Sequence, residues 1–440
     1  MPNPSLLTVF AKALLAGPQN SASLIQRIES VTGKRWRGLP ALVSRYKAAF
    51  AGKTRPGQRE VLRFLSSDPR LQLALRKHFA AASVQQWLTG PQEMQPAPAA
   101  AAWKIPAITS IGELAEWLRL TQQELDWFAD LKHLNTRTHI HKLDHYSYTL
   151  ASKRSAGFRL IEAPKQHLKL LQRQILKDIL NPIPAHPTAN GFVQSRSILT
   201  FASPHADKRV VLRMDIENFF PSISAARVNA FFRTAGYPEP VAERLAALCT
   251  HSVPNAFWKA SSQLGPQERF TFKSLYGKPH LPQGAPTSPA LANLCAYRLD
   301  SRLQGLAQAA DATYTRYADD LAFSGDQSFA RHAESFSHRV GAILLEEGFR
   351  VHHRKTRIMR EGVRQQLAGL VVNRHPNIAR DSFDQLKAIL TNCLRHGPMS
   401  QNREGLSDFR AHLSGRIGFV ESISPKRGAK LRKIFAVIAW

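Results

Sequence analysis

Two adjacent carboxylates, Asp319 and Asp320, lie in the middle of the apolar segment TYTRYADDLAFSG. The aromatic and β-branched residues on both sides predict a strand hairpin with the carboxylates at its turn. Neighbouring like charges beside buried residues are unfavourable, because they repel each other and burial disfavours the charged form. Taken alone, such a pair is typical of a solvated turn, so its interpretation depends on what else the chain supplies.

A third carboxylate, Asp215, ends the segment RVVLRMD, which has the apolar, β-branched composition of a buried strand. Three carboxylates can hold two divalent cations about 4 Å apart, and the cations remove the repulsion between them. Such a pair of ions activates an attacking oxygen and stabilises a leaving one. The three residues therefore indicate a candidate metal site, with a solvated turn as the alternative.

The chain is strongly basic, with 60 Lys and Arg against 32 Asp and Glu over 440 residues, a formal net charge of +28. This balance favours a polyanionic partner, of which nucleic acid is the commonest, over a surface that is charged only for solubility. Its three Cys residues are too few and too far apart for a disulfide framework or a Cys-rich zinc site. No apolar run is long enough to span a membrane, so we expect no membrane partner.

Four segments differ in composition and predict the domain organisation. Residues 1–88 carry apolar residues at three- and four-residue spacing, which predicts a basic, all-helical N-terminal domain. Residues 89–108 are rich in Pro and Ala and predict a semi-rigid linker. Residues 109–373 begin with helices, for which Ser110 and Thr121 are candidate N-caps, and continue with mixed strands and helices. Residues 374–440 are again basic and helical.

Three motifs resemble those of reverse transcriptases and follow one another in that family's order. Tyr317–Asp320 (YADD) matches the box with two carboxylates, and Asp215–Ser222 (DIENFFPS) matches the first carboxylate motif. Pro282–Pro289 (PQGAPTSP) matches the box that cradles template and incoming nucleotide. The resemblance covers about three quarters of the chain, from about Ser110 onward.

This resemblance implies an α+β, right-hand polymerase fold with an antiparallel palm sheet, preceded by the all-α N-terminal domain. Residues 109–373 would form fingers and palm, and residues 374–440 would form the thumb. The implied activity is that of an RNA-directed DNA polymerase, which is a nucleotidyltransferase.

The family pattern assigns the catalytic carboxylates to Asp215, Asp319 and Asp320. It implies two Mg²⁺ ions, for which Mn²⁺ can substitute. Lys355, in GFRVHHRKT, matches a lysine that protonates the leaving pyrophosphate, with Arg354 as the neighbouring alternative. The implied metal-holding positions are Asp215, Ile216, Asp319 and Asp320.

Several further positions resemble residues that contact the nucleotide or the template. Phe220 occupies the place of an aromatic gate against the ribose 2′-OH, which favours deoxynucleotides; Phe219 can share this role, and core packing is the alternative. Gln283 and Gly284 bring an amide and the backbone close to the nucleotide, where glycine permits the approach.

Basic residues supply the predicted contacts to phosphate. Lys153 and Arg159, in SKRSAGFRLIEAP, resemble residues that hold the triphosphate, although a solvated turn is the alternative for Lys153. Clustered cations near each end of the chain predict contacts to RNA phosphates. An aromatic ring among the N-terminal cations predicts stacking on a base, with packing in a small core as the alternative. These predicted RNA-binding residues are Lys426, Arg427, Lys430, Arg432, Lys433, Trp36 and Arg37.

Within this family the chain resembles the bacterial retron type. Ala189–Phe192 (ANGF) is similar to the retron segment that precedes the first carboxylate motif. Phe201–His205 keeps the Ala and His of a retron signature but lacks its Asn, and Leu367–Gly369 stands where a later Val-Thr-Gly signature is expected. A divergent retron and another defence reverse transcriptase therefore both stay open.

The retron resemblance implies an enzyme that binds a structured non-coding RNA and copies part of it into branched RNA–DNA (msDNA), in anti-phage defence. The implied partners are that RNA as template and primer, its DNA product, deoxynucleotides and a host ribonuclease H, in the bacterial cytoplasm. A separate effector or toxin protein is a further candidate partner. The alternatives are an abortive-infection or defence enzyme without a retron RNA and, from a different class, a catalytically idle RNA-binding scaffold.

Overall fold

The computed structural model describes residues 4–53, 56–79, 93–137, 144–152 and 157–440. Lys153, one of the predicted triphosphate contacts, lies outside these residues. The chain forms two compact units, and each combines two separate stretches: Met1–Pro184 with Phe220–Cys295, and Ala185–Phe219 with Ala296–Trp440. The chain therefore passes between the units three times, which a prediction of four consecutive segments does not anticipate.

The described residues form a mixture of helices and strands, as the predicted α+β class requires. In chain order the elements are α1 (Pro4–Leu15), α2 (Ser21–Thr32), α3 (Leu39–Ala49), α4 (Gln58–Ser67), α5 (Pro69–His78), α6 (Ile111–Trp117), α7 (Gln122–Ala129), α8 (Leu134–Arg137), β1 (Tyr146–Ser152), β2 (Phe158–Pro164), α9 (Gln166–Ile175), α10 (Ile198–Ala202), β3 (Val210–Asp215), α11 (Ala225–Thr234), α12 (Glu239–Cys249), α13 (Asn255–Ala260), α14 (Pro266–Tyr276), α15 (Ser288–Cys295), α16 (Tyr297–Gln308), β4 (Thr313–Tyr317), β5 (Asp320–Gly325), α17 (Gln327–Glu346), β6 (Arg357–Arg360), β7 (Gln366–Leu367), β8 (Leu370–Val371), β9 (Asn377–Ile378), α18 (Arg380–His396), α19 (Phe409–Ile423) and α20 (Pro425–Ala436).

The first unit begins with helices α1–α5, which surround an apolar core of their own. Their ends follow local capping: Asn20 accepts a backbone N–H at the start of α2, and Gly33 ends that helix with a φ of 61°. Asp68 caps α5 and also forms an ion pair with Arg45 at 2.7 Å. The described part of residues 1–88 is helical, as predicted.

Residues 93–108, the described part of the predicted linker, are packed in place. The backbone N–H of Ala97 donates to the carbonyl oxygen of Thr234 at 2.9 Å. The ring of Trp103 stacks on Phe231 with 6.0 Å between ring centroids. The structure therefore differs from the predicted tether here, because backbone hydrogen bonds and an aromatic stack hold the segment beside α11.

Downstream of this segment, the predicted elements are present. Ser110 and Thr121 cap α6 and α7, each accepting a backbone N–H through its side-chain oxygen. Strands β1 and β2 then pair antiparallel, and residues 153–156 between them lie outside the described residues. Helix α9 follows with Leu168, Leu171 and Ile175 on its buried face. The hairpin and the basic helix after it confirm the sequence-based prediction.

The second unit contains a four-stranded antiparallel sheet in the order β4-β5-β3-β6. Strand β3 is central, and every residue in it is buried except Arg213, which is half-buried. An apolar, β-branched strand can occupy this place because its neighbours satisfy both of its edges. This arrangement fixes the end of β3 beside the start of β5, where the carboxylates lie.

A second small sheet and the C-terminal helices complete this unit. Strands β7, β8 and β9 pair antiparallel. Ala368 and Gly369 form the two-residue turn between β7 and β8 with φ angles of 45° and 87°, as a tight hairpin turn requires. Helices α18, α19 and α20 share an apolar core with these strands. None of the described helices is both long and apolar enough to cross a membrane.

Candidate active site

The three predicted catalytic carboxylates come together at one end of the four-stranded sheet. Asp215, the last residue of β3, lies opposite Asp320, the first residue of β5. Asp319 occupies the turn before β5, and its carbonyl oxygen accepts the backbone N–H of Ile216 at 2.8 Å. Strand register alone thus brings together residues that are far apart in the chain.

A strained turn presents Asp319. Ala318, the residue before it, has a φ of 55°, in the left-handed region that an L-residue rarely adopts. The ANGF segment lies against this turn: a Cβ on Gly191 would stand 2.5 Å from the backbone nitrogen of Ala318. The backbone N–H of Asn190 also donates to the carbonyl oxygen of Arg316 at 2.7 Å. The retron-like segment therefore directly supports the hairpin that carries Asp319 and Asp320, and only glycine fits at position 191.

A fully buried ion pair holds the same turn from inside the unit. The Arg316 guanidinium donates to both carboxylate oxygens of Asp300, at 2.7 and 2.6 Å, and neither side chain is exposed. Its remaining nitrogen donates to the carbonyl oxygen of Ala318 at 3.1 Å. Arg316 is therefore a positioning residue for the YADD turn.

Two cations neutralise two of the three carboxylates. Arg213 donates through Nε and Nη2 to Oδ1 of Asp320, at 2.9 and 2.7 Å. The Nζ of Lys355 donates to Oδ2 of Asp215 at 2.8 Å, so the predicted proton donor belongs to the same cluster. Asp215 is buried, whereas the Lys355 side chain is 43% exposed and can be reached from solvent.

The crowded charges change the acidity of the site. Burial, together with the charges of Asp215 and Asp320, raises the pKa of Asp319 to about 6. Burial also raises the pKa of Asp320, although the Arg213 guanidinium opposes that shift. Raised carboxylate pKa values of this kind mark a site that gains stability when it binds a cation.

The donor set suits a hard divalent cation, because all of its ligand atoms are oxygens. Within the described ranges no three His, Cys, Asp or Glu side chains converge as metal ligands. Asp215 is paired with Lys355, and Asp320 with Arg213. The residues that would hold a metal are Asp215, Asp319, Asp320 and the backbone of Ile216.

The predicted nucleotide contacts belong to the first unit. The carbonyl oxygen of Gln283 accepts the backbone N–H of Glu162 in β2 at 2.9 Å. Gly284 has a φ of 138°, and a Cβ there would lie 2.8 Å from the Glu162 carbonyl oxygen, so glycine is required. Arg159, also in β2, is exposed. Gln283 and Gly284 therefore lie against β2, the strand that also carries Arg159.

The two candidate gate residues differ in their surroundings. Phe219 is buried, packs on Phe349 with 5.8 Å between centroids, and lies beneath the Arg316 guanidinium. Phe220 is half-buried. Core packing thus accounts for Phe219, and Phe220 stays the predicted gate.

The predicted RNA contacts divide into two groups. In α20, Arg427 donates to the Ile378 carbonyl oxygen, and Arg432 forms an ion pair with Glu421 at 2.5 Å. Three lysines on the same helix are exposed at positions i, i+4 and i+7, which places them on one face: Lys426, Lys430 and Lys433.

Near the N-terminus, Trp36 packs edge-on against Phe79, with 6.4 Å between centroids, and adjoins the apolar core of α1–α5. Trp36 therefore packs against a core, which was the alternative to a contact with RNA. Arg37 beside it is exposed, and its role in binding RNA stays a prediction.

Sequence reasoning missed three residues that shape the site: Arg213, Arg316 and Asp300. A signal for the first two was present, since Arg213 follows the apolar run Val210–Leu212 and Arg316 interrupts the otherwise uncharged β4. Such a residue needs a buried acidic partner or a polar edge. Asp300 lies in α16 and carried no comparable signal.

His205, from the partial retron signature, has a structural role. Its ring nitrogens form hydrogen bonds with the hydroxyls of Ser324 and Thr315, both at 2.7 Å. The ring is fully buried and links strands β4 and β5 to the segment before β3. The signature histidine thus stabilises the sheet that carries the carboxylates.

The family described as reverse transcriptase (RNA-dependent DNA polymerase) matches residues 151–384. The retron Mx65 reverse transcriptase of Myxococcus xanthus is 39% identical over 303 residues, which cover 69% of this chain and 67% of that protein. The retron Mx162 reverse transcriptase of the same organism is 36% identical, with coverage of 73% and 65%. The retron Ec86 reverse transcriptase of Escherichia coli is 31% identical, with coverage of 62% and 74%.

Among solved structures, the chain is similar to telomerase from Candida albicans in complex with a TWJ fragment of telomeric RNA. The alignment covers 66% of this chain and 56% of the telomerase chain. That alignment has 13% identity and a TM-score of 0.35. The chain spans about two thirds of the length of the two Myxococcus relatives. With the carboxylate cluster at the end of its sheet and these relatives in sequence, the chain belongs to the RNA-dependent DNA polymerases called reverse transcriptases, and within them to the retron type.

Proposed function

We propose that this protein is the reverse transcriptase of a retron, which binds a structured non-coding RNA and copies part of it into branched RNA–DNA. The observation that carries the proposal is the cluster of Asp215, Asp319 and Asp320 at one sheet end, in a chain whose relatives are retron reverse transcriptases. The proposed setting is the bacterial cytoplasm, and the proposed role is defence against phage.

In this proposal the four-stranded sheet is the palm, the β1–β2 hairpin belongs to the fingers, and helices α18–α20 form the thumb. The exposed Arg159 would hold the triphosphate, and the Gly284 backbone would approach the nucleotide closely. Phe220 would exclude a ribose 2′-OH, so deoxynucleotides are the proposed substrates. The non-coding RNA would supply both template and primer.

Each group of the carboxylate cluster has a separate task in the proposed reaction. Two Mg²⁺ ions, when bound, supply charge neutralisation for the attacking oxygen and for the leaving pyrophosphate. Lys355, whose hydrogen bond to Asp215 supports its assignment to the site, would give a proton to the leaving group. Arg213 orients the Asp320 carboxylate, and Arg316 holds the turn that carries Asp319. The chain thus contributes positioning and one proton donor.

The decisive experiment identifies the nucleic acid that co-purifies with the protein. We expect RNA joined to DNA through a 2′ branch from the wild-type protein. The Asp319→Asn/Asp320→Asn variant should carry RNA but no DNA, because the lost charges serve metal ions rather than phosphate. Free, unbranched DNA from the wild type would contradict the retron proposal and would support a defence enzyme without a retron RNA. DNA on the double variant would contradict the assigned carboxylates.

The second candidate, a defence reverse transcriptase without a retron RNA, is favoured by one observation. Phe201–His205 lacks the Asn of the retron signature, and Leu367–Gly369 departs from Val-Thr-Gly. A host ribonuclease H and an effector protein are proposed partners of the retron reading only. RNA without any DNA on the wild-type protein would support the idle scaffold instead.

A further inference from the structure

A cavity of about 460 Å³ lies in the first unit, between helices α13 and α14. Pocket volumes of roughly 300–1,000 Å³ accommodate small organic ligands. Four residues of α14 line it, at positions i, i+3, i+4 and i+7, so they form one stripe along that helix: Pro266, Arg269, Phe270 and Lys273. The cavity is therefore bounded by two defined helix faces.

The charge around this cavity has a single sign. Lys259, Arg269 and Lys273 line it, and none of the described residues that line it is acidic. Lys259 and Lys273 are exposed, whereas Arg269 is anchored because its Nη2 donates to the carbonyl oxygens of Ser261 and Leu264. Three cations around one cavity favour an anionic ligand with more than one phosphate contact.

The cavity also offers an aromatic surface. Phe270 is 71% exposed, although burying an aromatic ring is normally favourable. Trp258, which is 2% exposed, lines the cavity from α13. An exposed ring gains free energy when a base stacks on it, so a nucleotide base is a suitable ligand.

We propose that this cavity binds one nucleotide of a single-stranded RNA segment. The base stacks on Phe270, and the flanking phosphates contact Lys259, Arg269 and Lys273. Single-stranded RNA combines the required features, an unpaired ring and a chain of phosphates, whereas a duplex keeps its bases stacked. The proposal adds an RNA contact to the proposed function, and it rests on that function only in requiring that the enzyme meets RNA.

The test uses the full-length protein with a 12-nucleotide oligouridine that carries 4-thiouridine at a central position. After irradiation without deoxynucleotides, we expect a crosslink to residues 255–273. The Lys259→Gln/Lys273→Gln variant should lower the yield of that crosslink about tenfold. The matched control is Arg331→Gln/Arg339→Gln, which removes two exposed cations from α17 and should leave the yield unchanged. Thermal melting of each variant checks that it is folded.

The aromatic contact has its own variant pair. Phe270→Ala should lower the crosslink yield by about fivefold or more, since stacking of one base contributes on the order of 1–3 kcal/mol, and Phe270→Trp should preserve it. Uridine monophosphate at millimolar concentration should not compete with the oligomer. Competition by the mononucleotide would assign the cavity to a free nucleotide and overturn the proposal.

Two further outcomes would overturn the proposal. One is an absence of any crosslink to residues 255–273 while other regions are crosslinked, and the other is full yield in both lysine and phenylalanine variants. Either result would favour a protein partner, rather than RNA, as the ligand that covers the exposed Phe270 ring. Because the crosslink needs no catalysis, the Asp319→Asn/Asp320→Asn variant should give the wild-type yield. Failure here is therefore distinguishable from failure of the polymerase assignment.

Discussion

The buried Arg316–Asp300 pair supports the YADD turn at the scale of single residues. Arg316→Met would leave the Asp300 carboxylate buried without its partner, so we expect the free energy of unfolding to fall by about 3–5 kcal/mol. The measurement is urea denaturation. Arg364→Met is the control, since that residue and its partner Asp381 are both exposed and their ion pair should contribute about 1 kcal/mol or less.

The Arg316→Met/Asp300→Leu double variant separates stability from catalysis. Removing both charges should recover much of the lost stability, because no unpaired charge stays buried. The rate of DNA synthesis should be lower than that of the wild type in both the single and the double variant. The reason is that the Ala318 carbonyl oxygen lacks the N–H that Arg316 donates. Full recovery of both quantities would show that Arg316 acts only through stability.

His205 makes a second residue-scale prediction, on pH. Burial lowers its pKa from 6.5 to about 3, so the folded protein keeps the ring neutral where the unfolded chain protonates it. The unfolded state binds more protons between pH 6.5 and 3, and the stability that His205 contributes is therefore lost as pH falls through this range. His205→Gln should flatten the fall of unfolding free energy by up to about 1.4 kcal/mol per pH unit. An unchanged slope would mean that other groups set the acid sensitivity.

At the scale of elements, the ANGF segment and the YADD turn form one support. Gly191→Ala would place a methyl group 2.5 Å from the Ala318 nitrogen, so backbone must move, and we expect the rate of DNA synthesis to fall at least about tenfold. Gly305→Ala is the control, because a Cβ at that position in α16 meets open space. Equal rates in the two variants would contradict the support.

The C-terminal helix α20 makes another prediction at this scale. Lys426→Gln/Lys430→Gln/Lys433→Gln removes the exposed face, and each lost phosphate contact should reduce the log–log salt slope of RNA binding by about 0.7–0.9. Melting temperature should not change. Arg432→Gln should instead lower the melting temperature and change the salt slope less, because Arg432 already forms an ion pair with Glu421.

How much could be predicted from sequence differs between these elements. The hairpins β1–β2 and β4–β5 were predictable, since alternating strand formers around a polar turn carry a local signal. The family motifs predicted that Asp215 and Asp320 lie close together in the fold. The partners Arg213, Arg316 and Asp300 were not predictable, because they depend on which strand lies beside β5 and how α16 packs. Trp36 and the packing of residues 93–108 were likewise decided by tertiary contacts.

At the scale of the whole molecule, the helices α1–α5 belong to the first unit, where the Arg233 side chain donates to the carbonyl oxygen of Pro56. We predict that deleting residues 1–79 keeps polymerisation on a generic primer–template but weakens binding of the cognate RNA and flattens its salt slope. Residues 93–108 must be kept, since they pack beside α11. Arg35→Gln/Arg37→Gln in the full chain tests the same surface without deletion. Full affinity in both variants would make this domain a docking site for a protein effector.

The interleaving of the two units has a consequence for synthesis on the ribosome. Strand β3 is central in its sheet, yet Asp320, which pairs with its last residue, is made about a hundred residues later. At about 5–20 residues per second, the nascent apolar strand waits about 5–20 s with both edges unpaired. Neither unit can close before the chain has left and re-entered it. The carboxylate cluster is therefore among the last parts to form, and a nascent chain released before β5 cannot assemble it.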